Sequence, residues 1–191
     1  MTKQEIRNIY KEKRKQLSHH TTEKFNDLLL INFQKAKLPF INCVHTYLSS
    51  SKLGEADTAK IIRYLQFKNP ELIVAVPKVD VHSGNMVQYY FDEDTVVVHN
   101  AFGIDEPVNG DLITEKEIDL VLVPLLAFDK MGYRVGYGKG HYDKFLSRCR
   151  PDVIKAGISF YDPVDEIEDI NAFDIPLNFC VTPQELYVFD N

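Results

Sequence analysis

Early in the chain, apolar positions recur at helical spacing. Ile6, Tyr10 and Leu17, together with Lys13, fall along one side of a helix predicted over residues 3–17, and Lys3, Arg7 and Arg14 form a neighbouring basic stripe. Phe25, Leu28, Leu29, Phe33 and Ala36 predict a second helix over residues 22–37, ended by Pro39. Residues 42–48 read as a short strand, 49–54 as a loop, and 55–67 as a helix with Ala59, Ile62 and Leu65 inward. Asp57 and Thr58 offer N-cap chemistry there. Residues 72–79 are a buried strand, 81–85 carry turn residues, and 86–91 return as the second arm of a hairpin. Residues 102–107 read as a loop, and 110–117 lead into the apolar run 120–128, taken as one buried strand. Tyr142, Phe145, Leu146 and Cys149 mark one face of a following helix, and 153–160 and 178–182 are two further strands.

Strands therefore alternate with helices along most of the chain, and the two most apolar strands lack in–out alternation. Strands covered on both faces have that pattern. The expected fold is a single three-layer α/β/α domain over residues 1–191, with a mostly parallel sheet and a strand–loop–helix phosphate-binding element.

The chemistry concentrates in that element. Between the strand and the helix, Gly136, Gly138 and Gly140 alternate with Tyr137, Lys139 and His141. Without Cβ atoms the backbone takes positive φ and comes close to a ligand, so its N–H groups can line a concave anion site. Lys139 and Arg134 bring positive charge to the same place. Asp143, in the first turn of the helix, can serve the helix dipole or hold a divalent cation brought in with phosphates. The loop is neither G-x-x-x-x-G-K-[ST] nor G-x-G-x-x-G: Lys139 is followed by Gly140, and a third glycine would have to stand at His141.

Charge sharpens the picture. The net charge of −6 is unevenly spread: residues 3–15 and 134–150 hold 11 of the 22 Lys/Arg but only three acids. An acidic protein with two concentrated basic segments fits capture of a small polyanion, and fits poorly with nucleic acid, which wants an extended basic footprint. The basic stripe on the first helix taken alone reads as a solvated face. No apolar segment follows Met1, which predicts neither signal peptide nor membrane span and a cytoplasmic protein. Three separated cysteines, Cys43, Cys149 and Cys180, read as reduced, buried small residues and not as a zinc site. Acidic residues between 162 and 174 lack calcium-loop spacing and read mostly as a solvated loop.

The strings PLLAFD at 124–129 and GYRVGYGKGHYDK at 132–144 resemble the signature of the 5-formyltetrahydrofolate cyclo-ligase family. His141 stands where that family usually has another aromatic, and Lys144 where it often has arginine. The resemblance implies an enzyme that uses ATP and Mg²⁺ to close 5-formyltetrahydrofolate to 5,10-methenyltetrahydrofolate through a phosphorylated formyl group. It places Lys3, Arg7, Arg134, Tyr137, Lys139, His141, Tyr142 and the loop glycines at ATP. It places Arg7, Leu48, Glu55, Tyr137, Lys139 and His141 at the folate, and Asp143 with Asp174 at the metal. A carboxylate at Glu55 suits a pterin, whose amide N–H and amino group present adjacent donors. As a residue of a first helical turn, Glu55 could equally be structural. A monomer acting on a small molecule is the expectation. A non-catalytic metabolite-binding module and an RNA-binding protein using the basic helix are the readings from other classes.

Overall fold

The computed structural model describes residues 1–80, 82–100 and 104–190. Its helices are α1 (Lys3–Lys15), α2 (His19–Phe33), α3 (Ala59–Lys68) and α4 (His141–Leu146). The strands are β1 (Cys43–His45), β2 (Ile73–Val79), β3 (Met86–Tyr90), β4 (Val97–His99), β5 (Asp105–Pro107) and β6 (Leu112–Ile113). They continue with β7 (Leu120–Pro124), β8 (Ala127–Phe128), β9 (Arg134–Val135), β10 (Ile154–Ile158), β11 (Phe179–Val181) and β12 (Leu186–Val188).

The main sheet has eight strands in the order β12-β11-β10-β7-β1-β2-β3-β6. From β11 to β2 every neighbour is parallel. Antiparallel pairs finish both edges, including the expected β2–β3 hairpin. The apolar run of β7 explains why it lies mid-sheet. Leu120 and Leu122 join α2 and α3 through Leu29, Phe33, Ile61 and Leu65 on one face. Val121 and Val123 join Phe145, Leu146 and Leu177 on the other. A strand buried on both faces carries no polar alternation, and the result is the expected three-layer α/β/α arrangement.

Local signals account for the helix starts. Thr2 and Glu5 form a capping box at α1: the Thr2 amide donates to Glu5 Oε2 at 2.9 Å, and the Glu5 amide donates to Thr2 Oγ1. Ser18 caps α2, so that helix begins and ends earlier than residues 22–37. At α3 the Ala59 amide donates to the Asp57 carboxylate at 2.9 Å, and Thr58 shares a hydrogen bond with Thr46 instead. The helix therefore starts at Ala59 and not at residue 55, which takes Glu55 out of any helical turn.

Other expectations need correction. The run 120–128 is two strands: after β7 the chain turns and β8 pairs antiparallel with β9. α4 stops at Leu146, and Cys149 is buried in the turn beyond it. β12 was not foreseen, although Leu186, Tyr187, Val188 and Phe189 form a short apolar run. Of the loop expected over 102–107, Phe102 and Gly103 lie outside the described residues, and Asp105–Pro107 pairs with β4. Val81, in the expected turn, also lies outside them. All three cysteines are buried and free, with burial pushing Cys43 up to about 12 and Cys149 to about 11. No described helix is long and apolar enough to cross a membrane.

Candidate active site

In the sheet, β1 has β2 on one side and β7 on the other, so the chain order reverses there. Crevices form beyond the carboxyl ends of strands at such a switch point. Two segments meet at this end: the turn over residues 49–55 that follows β1, and the glycine loop that follows β7 and the β8–β9 hairpin.

Asp129 shapes the entry to the glycine loop. It is fully buried, its Oδ1 accepts from the amides of Met131 and Tyr133 at 3.0 and 2.9 Å, and its Oδ2 accepts from Ile167. These bonds, with positive φ at Gly132, close the hairpin that carries Arg134 and Val135. Beyond it, Gly138 and Gly140 sit at φ 96° and 66°, the left-handed region that favours glycine. A Cβ at Gly136 or Gly140 would meet nothing within 4 Å, whereas one at Gly138 would stand 3.3 Å from the Arg7 guanidinium. The Gly138–Gly140 tip is exposed.

Helix α1 lies against this loop. Ile6 and Tyr10 pack with Leu126, Ala127 and Val135 of the hairpin. The basic stripe is thereby turned inward, contrary to a solvated face. Arg7 donates from Nε to the Gly136 carbonyl at 2.9 Å. Lys3 pairs with Asp174, both side chains being largely buried. Arg134, with only 6% of its side chain exposed, donates to the Ile175 carbonyl and at 2.7 Å to Asp143. The Ile175 amide donates to the same Asp143 oxygen at 3.1 Å. Asp143 and Asp174 therefore sit side by side, each facing a cation. Among the described residues neither Asp143 Oδ2 nor Asp174 Oδ1 has a hydrogen-bond donor. His141 meets the Gly84 carbonyl through Nδ1 at 3.1 Å, tying the loop to the β2–β3 turn, and burial lowers its pKa. Lys139 lies at the exposed tip.

Beneath the loop is a buried polar network in which Arg14, His45, Tyr47 and Gln88 join the expected site residues Glu55, Tyr137 and Tyr142. Arg14, expected at the surface, is only 6% exposed and donates to the Tyr137 hydroxyl at 3.0 Å and to the Leu125 carbonyl. Glu55 accepts from the Ser50 amide at 3.0 Å and faces Arg14 and Tyr137; burial raises its pKa, against the opposing pull of those partners. The fields of Glu55, Arg14, Tyr142 and Tyr137 all act on buried Tyr47, so these groups form one cluster. Next to it, fully buried His45 bonds Gln88 Oε1 through Nδ1 at 2.7 Å and the Tyr142 hydroxyl through Nε2 at 3.1 Å. Glu55, Tyr137 and Tyr142 were singled out in the sequence, but Arg14 was legible there only as charge, and His45 and Gln88 only as polar positions within the apolar stretches 42–48 and 86–91.

Burial pulls the His45 pKa down to about 3. Its folded value lies below the unfolded 6.5, so the unfolded chain binds the extra proton. This group's contribution is complete above about pH 6.5 and is lost as pH falls toward 3, at about 1.4 kcal/mol per unit traversed. Urea unfolding as a function of pH should show a smaller acid loss in His45→Gln than in the parent. Identical slopes would contradict this.

The acidic stretch is partly structural. Asp165 pairs with Lys130 at 2.5 Å, Asp169 accepts from the Lys3 amide, and Asp162 accepts from Thr182 and Tyr187. Leu48 lines a cleft of about 490 Å³ with Thr46, Ile62, Phe91 and Val97. Among the described residues, neither Glu55 nor the glycine loop lines that cleft. The structure thus brings Lys3, Arg7, Arg134, Asp143 and Asp174 together around the loop, joins Glu55 to it through Tyr137, and sets Leu48 at a neighbouring opening.

Fold and site define an α/β protein with a basic, glycine-rich crevice at a topological switch point. The chain belongs to the 5-formyltetrahydrofolate cyclo-ligase family, whose pattern it matches over residues 1–179. It is 36% identical over 160 residues to the mitochondrial 5-formyltetrahydrofolate cyclo-ligase of Arabidopsis thaliana, covering 72% of this chain and 57% of that protein. To the Escherichia coli K12 5-formyltetrahydrofolate cyclo-ligase it is 28% identical over 137 residues, 70% of this chain and 75% of the relative. The fold resembles the NMR structure of Aquifex aeolicus 5,10-methenyltetrahydrofolate synthetase with a TM-score of 0.78 at 27% identity, covering 100% of this chain and 94% of that one.

Proposed function

We propose that the chain, acting as one catalytic unit, closes 5-formyltetrahydrofolate to 5,10-methenyltetrahydrofolate at the expense of ATP. The observation that carries this reading is the convergence on one glycine loop of the α1 cations Lys3 and Arg7 and the adjacent carboxylates Asp143 and Asp174. A metabolite-binding remnant has no need of both.

An N-formyl amide has a weakly electrophilic carbon and a poor leaving group in its oxygen. Transfer of the γ-phosphoryl of ATP to that oxygen releases ADP and corrects both faults. N10 then attacks the activated carbon, and loss of phosphate leaves the methenyl bridge. Phosphoryl transfer asks the protein mainly for positioning and charge stabilisation. The exposed loop backbone and Lys139 receive the phosphates, with Tyr137, His141 and Tyr142 framing the nucleotide and Arg7 at the join between the two ligands. Arg134 acts through Asp143, since its guanidinium is engaged with that carboxylate and the Ile175 carbonyl. Glu55 accepts from the pterin, and Leu48 contributes apolar contact. The site is read as working in a cytoplasmic monomer.

The carboxylates fit Mg²⁺. Among the described residues Asp143 and Asp174 each keep one oxygen without a donor, and a magnesium ion takes few protein ligands beside phosphate oxygens and water. The bound ion would neutralise phosphate charge. Because Lys3 and Arg134 already balance the two acids, Mg²⁺ should bind appreciably only together with the nucleotide. Asp143→Asn retains an oxygen for the Ile175 amide but leaves the buried Arg134 without its counter-charge. A stability loss of about 1–3 kcal/mol is expected, larger than a helix-cap effect alone. The Mg²⁺ concentration needed for half-maximal ATP binding should rise at least tenfold, with partial recovery of activity at high Mg²⁺. An unchanged midpoint in a folded variant would remove Asp143 from the metal site.

A further inference from the structure

The signature residues leave Arg14 unused, yet few charges in the molecule are so deeply placed. It stands in the last turn of α1, where a basic residue could satisfy the helix dipole from solvent. Instead its side chain runs inward. One Nη donates to the Tyr137 hydroxyl at 3.0 Å and the other to the carbonyl of Leu125, just beyond β7. The turn that carries Glu55 is moulded on its stem: Gly54, at φ 59°, approaches so closely that a Cβ there would lie 3.3 Å from Arg14 Cβ. The Glu55 carboxylate faces the guanidinium and is held on its far side by the Ser50 amide at 3.0 Å.

This arrangement is a poor device for stability alone. Arg14 Nε is buried and has no partner among the described residues. A buried, incompletely satisfied guanidinium costs folding free energy, and an apolar side chain of the same volume often does as well or better. What only an arginine provides here is a fixed planar fork with one branch on the glycine loop, one just beyond the carboxyl end of the central strand β7, and a charge turned to Glu55. Burial disfavours the charged form of Glu55, and Arg14 opposes that.

We propose that Arg14 is a positioning residue for the folate, holding the Tyr137 hydroxyl and the Glu55 carboxylate in one arrangement so that the glycine loop and the pterin acceptor are set together. The proposal rests on the folate reading of Glu55 above. Tyr137 is the half of the lock that belongs to the glycine loop. Arg14 is the half that belongs to α1.

The test compares parent, Tyr137→Phe, Arg14→Met, Arg14→Lys and the Arg14→Met/Tyr137→Phe double variant, with thermal midpoint recorded for each. KM for 5-formyltetrahydrofolate and KM for ATP are measured separately. Tyr137→Phe deletes one oxygen and keeps the ring, so it should stay folded, and its folate KM should rise about tenfold while the ATP KM stays within threefold. Arg14→Met should show the same split, with a rise of tenfold or more, and Arg14→Lys should fall between it and the parent. The double variant should lose no more than the worse single one, because both changes break the same lock. A merely structural arginine would lower the thermal midpoint and the active fraction, leaving folate KM alone. Folate KM within twofold of the parent in Tyr137→Phe overturns the proposal even if Arg14→Met fails to fold. A parent that turns over no folate defeats the activity reading itself, which is a distinguishable result.

Discussion

Gly138→Val is expected to abolish useful nucleotide binding while leaving the chain folded. Gly138 holds φ 96°, which β-branched residues resist, and strain of this kind costs about 1–3 kcal/mol. A Cβ there also lies 3.3 Å from the guanidinium of Arg7, so valine must push Arg7 from its bond to the Gly136 carbonyl or shift the loop. Either movement disturbs the surface meant for phosphate. Together these effects should weaken ATP binding by at least ~100-fold, since each 1.4 kcal/mol is a factor of ten. The glycine is exposed and outside every apolar cluster, so the thermal midpoint should move little. Calorimetric titration of a folded variant checks this, and parent-like ATP affinity would remove the loop from the binding site.

Lys139→Ala should have a comparable effect on turnover with almost none on stability. The residue sits at the exposed tip between two positive-φ glycines, and it belongs to no core. Loss of one charged contact to a developing phosphoryl charge costs about 2.7–4 kcal/mol of barrier by analogy with removal of a single oxyanion donor, or roughly 10²–10³-fold in kcat. Lys139→Arg should recover only part, because a planar fork replaces a compact ammonium. Turnover of Lys139→Ala within a few-fold of the parent would make this lysine a solvated side chain.

What could be read from the sequence follows from the range of each interaction. The parallel strands announced themselves because Leu120, Val121, Leu122 and Val123 are apolar whichever face they occupy. The glycine loop was legible because its conformation is local. Glu55 was misplaced in a helix: apolar spacing marks a helix's inward face well but its first residue badly, and Asp57 sets the start at Ala59, four residues later. The β8–β9 hairpin was hidden because residues 120–128 are apolar throughout, and only the buried Asp129 turns the chain back. Arg14 was legible only as charge. Its depth depends on Leu125, Tyr137 and Gly54, which lie far off in sequence, and no periodicity records such partners.

ATP-driven ring closure can be followed through the absorbance of the methenyl product formed from 5-formyltetrahydrofolate. The purified chain should produce that absorbance only when ATP and Mg²⁺ are both present, with one ADP released for each methenyl formed. Product formation without ATP, or ATP hydrolysis without product, would contradict it.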